Sequence, residues 1–176
     1  MTEAEIDRAL DSSDWHVRLA AILSTNATEA NINKALDDIN YCICEAAAFH
    51  ENATEANIDK ALTLDNIYNA ICNPNATANN LRKAFKTGNM LTKLTILSQK
   101  NVDEDILLSV FSMKQATFLK INALNHKNVT EKVLEKAIKS KTIEVRALAA
   151  RHPYATKKIK EKAANDAKLI SYLLKN

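Results

Sequence analysis

The sequence predicts an all-α protein, specifically an α-solenoid of about seven short two-helix repeats. Two observations predict this fold class. A block of sequence recurs along the whole chain with a period of 23 to 27 residues, and the 176 residues include only one Gly and two Pro, too few for the turns of a β-rich protein. We therefore expect one continuous helical-repeat domain over residues 1–176, with repeats starting near residues 2, 26, 52, 75, 101, 128 and 154.

The repeated block is clearest in the first half of the chain. The segment Asn26–Leu36 recurs almost unchanged as Asn52–Leu62 and more loosely as Asn75–Phe85. Such self-similarity at a fixed period is the sequence signature of stacked supersecondary units, each of which buries its apolar face against its neighbours. Weaker or truncated copies begin at Thr2, Asn101, Asn128 and Tyr154.

The first helix of each repeat is predicted from a helix-capping residue. A side-chain oxygen directly before an apolar pattern of helical spacing accepts a hydrogen bond from an otherwise unpaired backbone amide. Small–large apolar pairs such as Ala35-Leu36 and Ala61-Leu62 follow seven and eight residues later, and their small members allow a close helix neighbour. The predicted caps are Thr2, Thr28, Thr54, Thr77, Asp103, Thr130 and Thr156.

The second helix of each repeat follows a polar joint and is too short to be stable alone, so it is predicted to pack on its neighbours. These segments are apolar-rich and open on a large apolar residue, namely Trp15, Tyr41, Ile67, Met90 or Ile143. Each repeat ends at an asparagine, and among the amino acids only glycine tolerates a left-handed conformation better than asparagine. We therefore expect left-handed helix exits at Asn26, Asn52, Asn75, Asn101 and Asn128.

The pattern Val-Arg followed by paired alanines, at Val17–Ala21 and Val145–Ala150, resembles leucine-rich repeat variant proteins, which are similar in shape to HEAT-type arrays. A diluted form covers essentially the whole chain, and residues 86–127 depart from it most, with Lys93 and Leu119 where the motif has Arg. The resemblance implies a right-handed superhelix and, usually, a macromolecule-binding surface, and it does not imply an enzyme. Proteins of this kind occur in bacteria and their phages, which suggests an accessory role.

Residues that could carry chemistry fit structural roles better. His50, His126 and His152 all lie four residues before the next cap, which predicts one repeated structural position rather than a metal site. Cys42 and Cys44 are two residues apart and would point away from each other on a helix. Three cysteines without paired spacing predict reduced, buried thiols. We expect no catalytic residue, no cofactor and no metal.

Charge is distributed unevenly along the chain. Residues 1–88 contain 7 Lys and Arg against 13 Asp and Glu, a net of −6, whereas residues 89–176 contain 17 against 8, a net of +9. Such lysines commonly serve only solubility, but a basic patch at one end is the alternative. Its candidate members are Lys132, Lys136, Lys139, Lys158, Lys162, Arg146 and Arg151.

The predicted function is a non-catalytic protein–protein interaction module, because stacked repeats present an extended surface. The alternative is sequence-nonspecific nucleic-acid binding through the basic C-terminal half. Opposite charges in the two halves would also permit head-to-tail self-association that salt abolishes. The absence of a long apolar run and of a signal-like start predicts no membrane contact and a cytoplasmic location.

Overall fold

A computed structural model describes residues 1–64 and 66–175, and over these residues it is all-helical, with fourteen helices and no strand. The predicted all-α class is therefore confirmed. The helices are α1 (Glu3–Ala9), α2 (Trp15–Ile22), α3 (Glu29–Ala35), α4 (Tyr41–Ala48), α5 (Glu55–Thr63), α6 (Ile67–Cys72), α7 (Ala78–Thr87), α8 (Met90–Leu97), α9 (Glu104–Val110), α10 (Thr117–Leu124), α11 (Glu131–Ala137), α12 (Ile143–Arg151), α13 (Lys157–Ala164) and α14 (Ala167–Lys175).

The helices group into two compact units. Unit 1 is Met1–Asn101 and contains α1 to α8, whereas unit 2 is Val102–Asn176 and contains α9 to α14. The boundary coincides with the start of a predicted repeat near residue 101. It also lies inside residues 86–127, where the repeat motif is weakest.

The odd-numbered helices begin directly after the predicted caps. Side-chain oxygens of six of the seven caps accept a hydrogen bond from the third residue of the helix, and Thr2, Thr28, Thr54 and Thr77 complete a reciprocal capping box. Thr156 differs, because its buried hydroxyl has no hydrogen-bond partner. The five predicted starts of second helices are also confirmed, at the first residues of α2, α4, α6, α8 and α12.

This difference between caps leads to a stability prediction. We expect Thr54→Ala to lower the free energy of unfolding by about 1 kcal/mol, because it removes the acceptor for the Asn57 amide. Thr156→Val should instead be neutral or stabilise by up to about 1 kcal/mol, because it removes an unpaired buried hydroxyl. Urea unfolding of the two variants checks this, and equal destabilisation by both would contradict it.

Unit 1 is assembled by packing each helix on the equivalent helix of the next repeat. The helices α1, α3, α5 and α7 pack in succession, and so do α2, α4, α6 and α8. Residues near the C-terminal ends of neighbouring second helices are joined by hydrogen bonds. His50 Nε2 lies 3.1 Å from the Ser24 carbonyl oxygen, and Asn73 Nδ2 donates to the Ala48 carbonyl oxygen at 3.0 Å. The second helices are therefore parallel, and their N-terminal ends share one edge of unit 1.

Unit 2 repeats the same kind of packing. Helix α9 contacts α11, while α10 contacts α12 and α12 contacts α14. Leu107, Leu119, Leu134 and Val145 are fully buried between them. The unit therefore has its own apolar core.

The asparagines that close the repeats do not have the conformation predicted for them. Gln115 is the one non-glycine residue with a positive φ in the described part of the chain, so the prediction of left-handed asparagines is wrong. Their amide groups instead reach back to backbone carbonyls of the preceding repeat. Asn52 Nδ2 donates to the Thr25 oxygen at 2.7 Å, and Asn128 Nδ2 donates to the Val102 oxygen at 2.7 Å. Asparagine serves here as a bridge between repeats.

Candidate interaction surfaces

Unit 1 exposes large apolar side chains along the edge where its second helices begin. Each of α2, α4, α6 and α8 carries one or two of them in its first two positions, and their exposure ranges from 38% to 67%. Sequence reasoning identified most of these positions as helix starts but treated them as core, so it missed the surface they form. We call this set the apolar row: Trp15, Tyr41, Tyr68, Met90 and Leu91.

Hydrogen bonds from Arg18 to Asp38 and to the Ser12 backbone, which we call the arginine clasp, hold the backbone beside the apolar row. Arg18 donates from Nε to Asp38 Oδ2 at 2.7 Å and from Nη2 to Asp38 Oδ1 at 3.0 Å, while its Nη1 donates to the Ser12 carbonyl oxygen at 2.8 Å. Burial by itself would raise the pKa of Asp38, but hydrogen bonds from Arg18 and the Asn40 amide, with the charge of Arg18, outweigh it and lower the pKa. The clasp holds the joint before α4, and so positions Tyr41.

The same clasp recurs in unit 2 and explains one residue of the predicted basic patch. Arg146 Nε donates to Asp166 Oδ2 at 2.9 Å, and its Nη1 donates to the carbonyl oxygens of Ser140 at 2.9 Å and Lys141 at 3.2 Å. The Leu169 amide and then the charge of Arg146 lower the pKa of Asp166, although burial opposes them. Arg146 is half-buried and fixes the joint before α12.

Several other members of the predicted patch have partners within unit 2. Lys132 lies 3.0 Å from Glu104, and Lys158 lies 2.5 Å from Glu135, a contact that raises the pKa of Lys158. Arg151 donates to the Leu173 carbonyl oxygen at 3.1 Å. Lys162 is exposed and within electrostatic range of Glu135. Lys132, Lys158 and Arg151 thus each contact a different group within unit 2.

The remaining two predicted residues, Lys136 and Lys139, line a cavity of about 810 Å³ in unit 2. The joints 111–116 and 139–142 form most of its wall, together with the first residue of α10. Lys136 also donates to the Leu108 carbonyl oxygen at 3.2 Å. We call this feature the lysine cavity, because its twelve lining residues include five lysines and no Asp or Glu; the lysines are Lys114, Lys120, Lys136, Lys139 and Lys141.

The histidines occupy one repeated structural position, as predicted. Nδ1 of His50 accepts a hydrogen bond from the Asn52 amide at 3.0 Å, and Nδ1 of His126 and of His152 accept equivalent bonds from the amides two residues later at 3.1 and 3.2 Å. No group of three or more His, Cys, Asp or Glu side chains is placed to hold a metal ion within residues 1–64 and 66–175.

The three free thiols differ in accessibility, which gives a second prediction. Cys42 is exposed, contrary to the prediction, whereas burial raises the pKa of the Cys44 and Cys72 thiols. Only the thiolate reacts quickly with a disulfide reagent. We therefore expect one fast-reacting thiol in the folded protein at neutral pH and three after unfolding. Loss of the fast phase in Cys42→Ser checks the assignment, and a persisting fast phase would contradict it.

Comparison of the chain with protein-family models, curated proteins and solved structures finds no match. Within the described residues, no helix combines the length and hydrophobicity that crossing a bilayer requires.

Proposed function

We propose that this protein is an α-solenoid of the leucine-rich repeat variant kind and acts as a protein-interaction module through the apolar row. Bridges between successive repeats support the solenoid part of the proposal: Asn52 and Asn75 in unit 1, and Asn128 in unit 2, each donate to a carbonyl 22 to 27 residues earlier. The single observation that carries the function is the exposure of the apolar row along one edge of unit 1.

Exposed aromatic side chains at neighbouring positions favour protein binding over other roles. Scattered single apolar residues are normal on a protein surface, whereas grouped ones, especially Trp and Tyr, are typical of the centre of protein interfaces. Trp15, Tyr41 and Tyr68 lie in the first two positions of three successive parallel helices, so a single partner segment can contact all three. Large aromatic side chains also lose little conformational entropy on binding.

The charge of unit 1 defines the chemistry of the partner. Residues 1–101 contain 13 Asp and Glu against 9 Lys and Arg, and Asp14, next to Trp15, is exposed. Complementary charges speed association and discriminate between partners. The partner is therefore a protein segment with apolar anchor residues flanked by Lys or Arg.

Affinity capture from a lysate of the source organism tests the proposal. The full chain, treated with nuclease, should retain one dominant protein, and the variant Trp15→Ser, Tyr41→Ser, Tyr68→Ser, Leu91→Ser should lose it. A matched control replaces exposed apolar residues of unit 2, Phe118→Ser, Tyr154→Ser and Leu174→Ser, and should retain it. Equal capture by both variants, or capture that nuclease abolishes, would contradict the proposal.

The second candidate function is sequence-nonspecific nucleic-acid binding through the basic C-terminal half. The observation that favours it is the excess of 15 Lys and Arg over 8 Asp and Glu in residues 102–176. Exchanging Lys132, Lys136, Lys139, Lys158 and Lys162 for Glu should abolish such binding, because phosphate contacts supply nearly all nonspecific affinity. Unchanged binding of a DNA or RNA oligonucleotide by this variant would contradict the second candidate.

A further inference from the structure

We infer that the lysine cavity of unit 2 binds a small soluble polyphosphate, the class to which nucleoside triphosphates and inorganic tripolyphosphate belong. This site is distinct from the apolar row, so polyphosphate binding does not depend on the proposed protein binding.

The lining of the lysine cavity is positively charged. Its twelve residues include five lysines and no Asp or Glu, although the ammonium group of Lys136 also donates to Ser112 Oγ at 2.9 Å. The side chains of Lys114, Lys120 and Lys141 make no hydrogen bond or ion pair to the described residues, although other lysines of unit 2 do. Lys139 is within electrostatic range of Glu135, which does not line the cavity and already pairs with Lys158. A multivalent anion can pair with several such lysines at once.

The lysine cavity has the size and shape of a small-molecule site. A volume of about 810 Å³ lies within the range of small-molecule pockets, and two separate joints supply the walls. Half-buried Phe111 and Met113 add apolar surface beside the lysines, which suits a ligand that carries a flat or apolar group as well as phosphates. A concave site of this size favours a small molecule over an extended nucleic-acid strand.

The backbone around the lysine cavity adds to its positive potential. Helices α10 and α12 both begin at the cavity, and neither N-cap residue, Ala116 or Thr142, places a side chain on the first-turn amides. Those amides and the helix dipoles attract anions. Arg146 holds the carbonyl oxygens of Ser140 and Lys141, so it positions the joint that carries Lys139 and Lys141.

Isothermal titration of the full chain with inorganic tripolyphosphate tests the inference. The expected result is one site per chain, with an affinity that falls as salt rises. The variant Lys114→Gln, Lys139→Gln, Lys141→Gln should bind roughly tenfold or more weakly, because three of the cavity cations are removed. All three side chains are exposed, so folding should be unaffected.

A charge-matched control separates a built site from general attraction. The variant Lys157→Gln, Lys160→Gln, Lys168→Gln removes three exposed lysines of unit 2 that do not line the cavity, and it should bind like the unaltered protein. Equal loss in the two variants, or no binding by the unaltered protein, would overturn the inference. Titration with ATP and with a single-stranded oligonucleotide identifies the source of the phosphates. We expect ATP to bind at least as tightly as tripolyphosphate. An oligonucleotide that binds far more tightly than either, and whose binding does not depend on the cavity lysines, would overturn the inference.

Discussion

Replacing Ile58 by Ala should destabilise the protein by about 3 to 4 kcal/mol, the largest effect expected of any single substitution considered for this chain. Ile58 lies in α5, is fully buried and occupies the apolar position four residues after the Thr54 cap. The truncation leaves a cavity beside α5, which packs against α3, α6 and α7. Urea unfolding measured at constant m-value gives this number.

The matched control for Ile58→Ala is Leu91→Ala, which removes a similar apolar side chain from the apolar row. Because Leu91 is 67% exposed, we expect a change within about 0.5 kcal/mol. A large loss of stability in Leu91→Ala would mean that the apolar row serves the core of unit 1, which would contradict its role as a binding surface.

Replacing Asn80 by Ala should cost about 3 kcal/mol, as much as a core truncation, although Asn80 is polar. Asn80 is fully buried; its Oδ1 accepts from the Thr77 amide at 2.9 Å, and its Nδ2 donates to the Glu55 carbonyl oxygen at 3.1 Å and to Asp59 Oδ1 at 2.7 Å. Removing the side-chain amide leaves the half-buried Thr77 amide without its acceptor and takes a donor from the Glu55 carbonyl oxygen and from the Asp59 carboxylate. One side chain thus caps its own helix and ties it to the preceding repeat.

The neighbouring residue provides the control for Asn80→Ala. Asn79 is exposed and makes a single bond, from Nδ2 to Glu55 Oε1 at 2.7 Å, so Asn79→Ala should change stability by at most about 0.5 kcal/mol. Both variants remove the same chemical group from adjacent positions of α7. Equal unfolding midpoints for the two variants would contradict the assignment of a bridging role to the buried asparagines.

The local elements could be predicted from the sequence because their signals are local. A threonine cap acts on the amide three residues later, so Thr28 and Thr54 mark the starts of α3 and α5 without knowledge of the tertiary structure. The histidine position was predicted for the same reason, since Nδ1 of His50 accepts from an amide two residues on.

Features that depend on residues far apart in sequence could not be predicted in this way. Asparagines that close the repeats, such as Asn52 and Asn75, donate to carbonyl oxygens more than 20 residues earlier. The residue type alone suggested a left-handed turn, which these asparagines do not adopt. The number of lysines predicted a basic half of the chain. Which of those lysines have a partner could not be predicted, because the partners lie 23 to 28 residues earlier in the sequence. Gln115 lines the cavity in a left-handed conformation, which a glutamine in the sequence does not predict.

Site-specific photo-crosslinking in cells of the source organism shows whether the apolar row contacts a protein partner. A photoreactive phenylalanine replaces either Tyr68 of the apolar row or Tyr154 of unit 2, which are exposed to nearly the same extent, 63% and 64%. We expect one protein adduct of discrete mass from position 68 and none from position 154. Adducts of equal yield from both positions, or no adduct from position 68, would contradict a protein-binding role for the apolar row.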